Sequence, residues 1–336
     1  MSTLSPAAPA RRTRGQAVVL LLVLALLAVF PALASDYQTN LLSKFLAFAI
    51  LALSLDLIWG YAGVVNFGHA IFFGLGAYAM GLVLKYVDLP GVTYLAILAA
   101  IAVPLLAGMI LGLFLFYGRV SGVYFGVVTL ALTGVVQQLI IVSTELTGGM
   151  NGLYGYAAPR IGIPGLWEVE LFEANAAYYT TLLGAASCFW LARWLVRSDF
   201  GRVIQGIREN ETRIEYLGYD VPLLKLVIFS ISCAMAGFSG ALYVPVGFIS
   251  PDLVGLGMSA AVLVWVAVGG RGTLVGAILG ALLVNYLQTL LSDALVVLWL
   301  LIVGVFFITV VLFWPGGIVG LLRSPRLQAR LPFLRF

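Results

Sequence analysis

The chain has 336 residues, of which 62% are apolar and only 10% charged. A water-soluble fold carries about 25% charged residues, so this composition excludes an ordinary soluble globule and makes a lipid bilayer the expected solvent. The net charge of +4 comes with one histidine and two cysteines, Cys188 and Cys233, both inside apolar runs. That argues against a His-based metal site and for packed thiols rather than a disulfide or metal pair.

A helix that crosses a bilayer needs about 20 apolar residues. Ten segments approach that length: 17–34, 42–59, 69–86, 92–117, 123–143, 177–196, 223–244, 256–268, 273–291 and 295–314. The expected fold is therefore all-α, a polytopic membrane protein with about ten transmembrane helices. Residues 1–40 would hold an N-terminal tail and the first helix, 41–322 the core, and 323–336 a C-terminal tail. Arg11, Arg12 and Arg14 precede the first segment, and Ala32-Leu33-Ala34 resembles a signal-peptidase site. That segment is either a first span or a cleaved leader. The eighth is short for a crossing and reads as broken or tilted.

Positive charge sets the orientation of such a chain. With the N-terminus inside and ten alternating spans, fifteen of the Lys and Arg residues fall inside, and only Lys44, Lys85 and Arg160 outside. Both termini are expected in the cytoplasm of a bacterial cell with this protein in its inner membrane. The surplus charge is then a topology signal, and no nucleic-acid partner is expected. Small residues repeat at four-residue spacing in Gly118/Gly122/Gly126, Gly272/Gly276/Gly280 and Ser232/Ala236/Gly240. Such stripes let helices approach closely, either within the subunit or against a partner.

Between the second and third segments, Gly60-Tyr61-Ala62-Gly63-Val64-Val65-Asn66-Phe67-Gly68-His69 interrupts the apolar run. Unwound backbone at membrane depth survives only where it is buried in protein or lines a cavity. The stretch is either part of a solute path or a tight turn between helices. Tyr61, Asn66 and His69 within it are candidate pathway residues, as is Asp56, because an ionisable group in a span is a functional candidate by default. Asp56 and His69 also admit a proton-relay reading. Thr129, Thr133 and Gln137 lie at i, i+4 and i+8 on one face, which either lines a pore or holds helices together by hydrogen bonds.

Residues 197–222 form the only strongly polar connection. Ile207, Ile214 and Leu217 share a helical face, Arg208/Thr212 and Glu209/Arg213 are i,i+4 pairs, and Gly218 supplies a stop. One short amphipathic helix is expected. The chain has no nucleotide-binding P-loop, which needs Gly-Lys before Ser or Thr. Its lysines are Lys44, Lys85 and Lys225, and none follows a glycine. It is not expected to be an enzyme, and energy must come from a partner or an ion gradient.

The motif Gly201-x6-Arg208-Glu209-Asn210-Glu211-x6-Gly218-Tyr219, followed by Lys225-Leu226, resembles the coupling loop of ABC importer permeases. Similar matches run through Leu51-Ala52-Leu53-Ser54-Leu55-Asp56, Gly68-His69-x3-Phe73-Gly74, Thr147-Gly148-Gly149-x-Asn151-Gly152, Val268-Gly269-Gly270-Arg271-Gly272 and Pro315-Gly316-Gly317-Ile318. The resemblance is to the permease family that serves branched-chain amino acids, urea and short amides. It implies a second related permease subunit, two cytoplasmic ATP-binding subunits and a periplasmic solute-binding protein. No cofactor belongs to this chain, and ATP and Mg2+ would sit in the partners. Gly201, Arg208, Glu209, Asn210, Glu211, Arg213 and Gly218 are the residues expected to couple to the ATPase. For the solute, the Ala267–Leu274 stretch and Asp56 resemble the urea branch, which is the favoured expectation. Val127–Leu132 and Thr147-Gly148-Gly149 resemble the amino-acid branch, the alternative, and Val246 after Pro245 departs from the urea pattern.

Overall fold

The computed structural model describes residues 27–163, 167–294, 304–305, 309 and 316–322. Most of the first expected span, the tenth, and the C-terminal tail lie outside them. Helix α1 (Asp36–Asp56) starts at Ser35, whose hydroxyl accepts the Gln38 N–H while the Gln38 side chain accepts the Ser35 N–H. This reciprocal cap satisfies two donors that a helix start leaves open. The helix runs on through a π turn, Leu57–Tyr61, giving one 26-residue rod.

The other long helices are α2 (Ala70–Tyr86), α3 (Val92–Tyr117), α4 (Val123–Val142), α5 (Ala174–Arg197), α8 (Val221–Tyr243) and α10 (Leu274–Ala294). Five of the described helices, α1, α3, α4, α8 and α10, are long and apolar enough to cross a membrane. The expected eighth span is one continuous but short helix, α9 (Leu256–Gly269) of 14 residues, preceded by a 3-10 turn, Pro251–Val254. It gives about 21 Å of helix against a core of about 30 Å.

Helix α1 is the axis of the bundle. Of its most apolar window 83% is buried, against 22% for α3, so α3 turns a lipid-facing surface outward while α1 is enclosed by α5, α8, α9 and α10. Serines on α8 fasten it. Ser232 donates to the Ser54 carbonyl at 2.5 Å and Ser239 to the Ala47 carbonyl at 2.6 Å. Between apolar helices such bonds and close backbone approach replace the hydrophobic effect as the force of association.

Two of the small-residue stripes work in this way inside the subunit, although Gly272 lies in the turn before α10 with φ 76° and only Gly276 and Gly280 of its stripe are helical. Gly240 lies against the Phe73 carbonyl of α2, and Gly276 and Gly280 against the backbone of α9. The third is not a helix face. Gly118 caps the end of α3 and Gly122 precedes α4 with φ 60°, so only Gly126 is helical. A regular four-residue spacing had concealed a turn.

The fold departs from an all-helical expectation at one place. The long connection after α4 contains a two-stranded hairpin, β1 (Arg160–Ile163) with β2 (Trp167–Glu170), paired antiparallel with Arg160 opposite Glu170. The Arg160 N–H donates to Thr93 Oγ1 at 2.8 Å, and Tyr94 bonds Gly162, which moors the hairpin to the start of α3. On this same face Leu153 bridges Ile249.

The opposite face gathers the 60–69 break, the α3–α4 turn, residues 197–222 and the α9–α10 turn. The two sets of connections thus segregate as an alternating path requires. They are called below the hairpin face and the loop face.

Candidate functional site

Residues 197–222 form two helices rather than one. Helix α6 (Asp199–Glu209) begins at Ser198, which accepts the Gly201 N–H, and buries Gly201, Ile204 and Ile207. Asn210 then takes an extended conformation, φ −158° and ψ 99°, and its side chain accepts the Arg213 N–H at 2.9 Å to start α7 (Glu211–Tyr216). An Asn side chain that satisfies a helix-start N–H competes with continuing the helix. The break abolishes the i,i+4 geometry expected for Arg208/Thr212 and Glu209/Arg213. The ion pairs formed are Arg202–Asp199 at 2.8 Å and Lys225–Glu211 at 2.6 Å.

Arg208 turns inward. Its Nη1 donates to the carbonyl of Gly60 in the π turn that ends α1. At the start of that turn Asp56, fully buried, accepts the Gly272 N–H at 2.7 Å through Oδ1. Arg208 and Arg271 both lie within Coulombic reach of Asp56, and the Arg271 guanidinium lies over the Trp59 ring, 5.4 Å from its centroid. Burial pushes the Arg271 guanidinium below the usual arginine range, its neighbour Arg208 pushes the same way, and Asp56 opposes both. One acid and two arginines therefore tie together the end of α1, the α9–α10 turn and α6.

Gly60 has to be a glycine here. A Cβ at that position would collide with the Asp56 carboxylate and the Gly272 nitrogen. Gly63 has φ 78° and lies under the Arg208 side chain. Beside the junction, Gly63, Val64, Ser121, Arg208, Glu211 and Lys225 help line a cavity of about 150 Å3. The Lys225–Glu211 pair fastens α7 to the start of α8, so each loop helix is bonded to a different span.

The break itself is held by a second cluster. Ser54 donates its only hydroxyl proton to the Leu51 carbonyl at 2.7 Å. His69 Nε2, 2.8 Å from that oxygen, must then be the donor between them. His69 Nδ1 accepts from Asn66 Nδ2 at 3.1 Å, and Asn66 Oδ1 accepts the Gly68 N–H at 3.0 Å. All donors and acceptors match for a neutral imidazole protonated on Nε2.

Thr129 donates to carbonyls of its own helix, Phe125 and Gly126, and accepts the Phe67 N–H at 3.2 Å. Thr133 donates to the Thr129 carbonyl at 3.0 Å, and Gly68 packs on that same carbonyl. Thr129 thus joins α4 to the break, while Thr133 bonds within its own helix. Gln137 is only partly buried, near Gly255, and Tyr61 ends the π turn half-buried.

Of the residues expected to face an ATPase, Gly201 is packed against the α5 carbonyls of Leu195 and Val196. Arg208 and Glu211 bond inward, and Asn210 is a cap. Arg208, Glu209, Asn210, Arg213 and Gly218 are all exposed. Sequence reasoning missed Tyr216, Leu217 and Tyr219, which are 87%, 66% and 47% exposed beside them. Their signal was three large side chains in a polar connection, of which only Leu217 had been singled out, on a helical face shared with Ile207 and Ile214.

Fold and junction together define a polytopic helical membrane protein whose two polar-loop helices are bonded to different spans, one of them the central span. The chain belongs to the branched-chain amino acid transport system permease component family, whose model matches residues 37–311. It is 30% identical over 297 residues to the high-affinity branched-chain amino acid transport system permease protein LivM of Escherichia coli K12, covering 83% of this chain and 69% of the relative. The probable branched-chain amino acid transport permease protein LivM of Methanocaldococcus jannaschii is 25% identical, covering 76% and 82%. A more distant similarity, 29% over 58% of this chain and 53% of the relative, is to the autoinducer 2 import system permease protein LsrC of Yersinia pestis. No solved structure matches the chain. None of these relatives is named for urea, and the expectation of a urea permease gains nothing from them. The amino-acid alternative stands nearer.

Proposed function

We propose that this chain is a transmembrane permease subunit of an ATP-driven importer for branched-chain or other hydrophobic amino acids. The observation that carries the reading is the Arg208 bond to the Gly60 carbonyl. It joins a short loop helix, the kind of element on which an ATPase can push, to the end of the most deeply enclosed span. Around it Asp56 and Gly272 extend the linkage to the α9–α10 turn, and Glu211–Lys225 to α8. Movement of α6 and α7 would therefore reach α1, α8, α9 and α10 together, as rigid-body rocking of a bundle requires.

The loop face is cytoplasmic in this reading, because eight of the described cations, from Arg119 to Arg271, lie on that side. One of two ATP-binding subunits docks there on α6 and α7, and the pair of them binds ATP and Mg2+. A second, related permease completes the pathway, and a periplasmic binding protein meets the hairpin face. Proton-coupled transport draws no support from His69, whose two ring nitrogens are both committed to fixed partners.

The test is uptake by the assembled importer in proteoliposomes, with labelled leucine and labelled urea supplied through their binding protein. Leucine uptake that stops when the ATP-binding subunits are made catalytically dead is expected. Uptake of urea but not leucine would overturn the solute assignment, and uptake that persists with dead ATPases would overturn the importer class.

A further inference from the structure

The cavity beside the coupling junction carries a chemistry that force transmission does not require. Its volume is about 150 Å3, comparable to a core cavity that takes up a benzene molecule and smaller than the pockets of about 300 Å3 or more that hold drug-sized ligands. A small metabolite fits it and a nucleotide does not.

The lining is of two kinds. Phe116, Phe125 and Ile207 are apolar and buried, and the two rings stack with centroids 5.3 Å apart. Val65 of the break and Val120 of the α3–α4 turn extend this apolar side. Arg208, Glu211 and Lys225 supply charge. The Glu211–Lys225 pair and the Arg208 bond to Gly60 use only part of what these groups offer. A guanidinium has five N–H donors, an ammonium three, and a carboxylate a second oxygen.

Two cations and one anion in a single cavity select the charge of an occupant. A simple anion would meet the Glu211 carboxylate, and a simple cation would meet Arg208 and Lys225. A zwitterion satisfies both signs, and an aliphatic group on it would cover the apolar side and leave water. We propose that this cavity binds a free amino acid with an aliphatic side chain. Its carboxylate meets Arg208 and Lys225, its ammonium meets Glu211, and its side chain packs on Phe116 and Phe125.

Such an occupant touches the parts that coupling must move. The walls come from the loop helices α6 and α7, from α3, α4 and α8, and from the 60–69 break. Movement of α6 and α7 against the spans reshapes the cavity, so a ligand fitted to this shape holds the junction in this conformation. Amino acid accumulated on the loop-face side would thereby slow its own import. That regulatory role rests on the proposed function, in which the loop face is cytoplasmic; the binding itself does not.

Binding of labelled leucine to the assembled permease and ATP-binding subunits in nanodiscs tests the site, with the binding protein left out because it would take up leucine itself. Saturable binding is expected. Leucinamide lacks the carboxylate, isocaproate the ammonium and free glycine the side chain, and each should compete at least about ten-fold more weakly than leucine. Ser121→Phe adds a ring to the cavity lining and should weaken leucine binding about ten-fold or more, with Val65→Phe taking its place if Ser121→Phe does not assemble. Glu211→Gln should bring isocaproate level with leucine, a gain that a purely structural role for Glu211 would not produce.

Absence of leucine binding in the wild type would overturn the proposal. So would equal binding by the wild type and the cavity-filling variant, which would put leucine on the transport path. Competition by inorganic phosphate as strong as that by leucine would also overturn it, and would make the cavity an anion site. In proteoliposomes with ATP in the lumen, lumenal leucine should slow the initial rate of leucine uptake at least about five-fold, and Ser121→Phe should remove that difference. Unchanged uptake at lumenal leucine that saturates the site would overturn the regulatory role. Import of urea in place of leucine would refute the proposed function, and the binding measurements would still decide the site.

Discussion

Asp56 separates a mechanical junction from a proton carrier, because the two readings give opposite outcomes for Asp56→Asn. The carboxylate Oδ1 accepts the Gly272 N–H at 2.7 Å, and Arg208 and Arg271 supply opposite charge nearby. An Asn at this position keeps an oxygen in the place of Oδ1. It turns a charge-assisted bond of about 1.5–3 kcal/mol into a neutral one of about 0.5–1.5 kcal/mol, a loss of roughly 1–1.5 kcal/mol. Asp56→Ala removes the acceptor and leaves the Gly272 N–H without its partner. Losing the charge-assisted bond outright, about 1.5–3 kcal/mol, and stranding a donor, about 1–3 kcal/mol, together cost roughly 3–5 kcal/mol. The two substitutions thus differ by about 2 kcal/mol, roughly thirty-fold in how often the junction is closed. The assay is the initial rate of ATP-dependent solute uptake in proteoliposomes, normalised to incorporated subunit. Asp56→Asn is expected to stay within about ten-fold of wild type and Asp56→Ala to fall to a few per cent or less. The junction reading is refuted if Asp56→Asn is as inactive as Asp56→Ala while both proteins are incorporated and fold normally. Wild-type uptake by Asp56→Ala would refute it equally.

Gly60→Ala places a methyl group between the Asp56 carboxylate and the Gly272 nitrogen. Overpacking of this kind costs about 1–3 kcal/mol, so a lowered melting temperature and weakened solute-stimulated ATP hydrolysis are expected together. Tyr216→Ala with Leu217→Ala should leave the melting temperature of the subunit unchanged, since both side chains are exposed. If the pair anchors the ATP-binding subunit, co-purification of that subunit should fall by about ten-fold or more; an unchanged yield would place the docking surface elsewhere.

How much of this was legible in the sequence follows from the kind of signal each feature leaves. Helices α2 to α4 were readable within a residue at each end, because lipid demands long apolar runs whose backbone bonds close internally, whereas α1 starts at Asp36, six residues before the expected segment. The segregation of connections onto two faces was readable from the positions of Lys and Arg alone. Both signals are local and additive along the chain. The special place of residues 197–222 was readable too, as the one polar stretch between spans.

Only the tertiary structure decided what the individual polar residues do. Arg208 and Glu211 were read as coupling residues, and the structure gives each a partner within the chain, Gly60 and Lys225, while Arg208 stays exposed. Asn210 was one more polar residue of a single helix until its conformation divided that helix in two. Thr129 and Thr133 looked equally suited to a pore, yet their hydroxyl protons go to the carbonyls of their own helix. In a chain this apolar every hydrogen-bonding group is costly to leave unpaired. The sequence therefore announced that these residues matter, while their partners, up to 216 positions away in the case of Asp56 and Gly272, were chosen by how the helices pack.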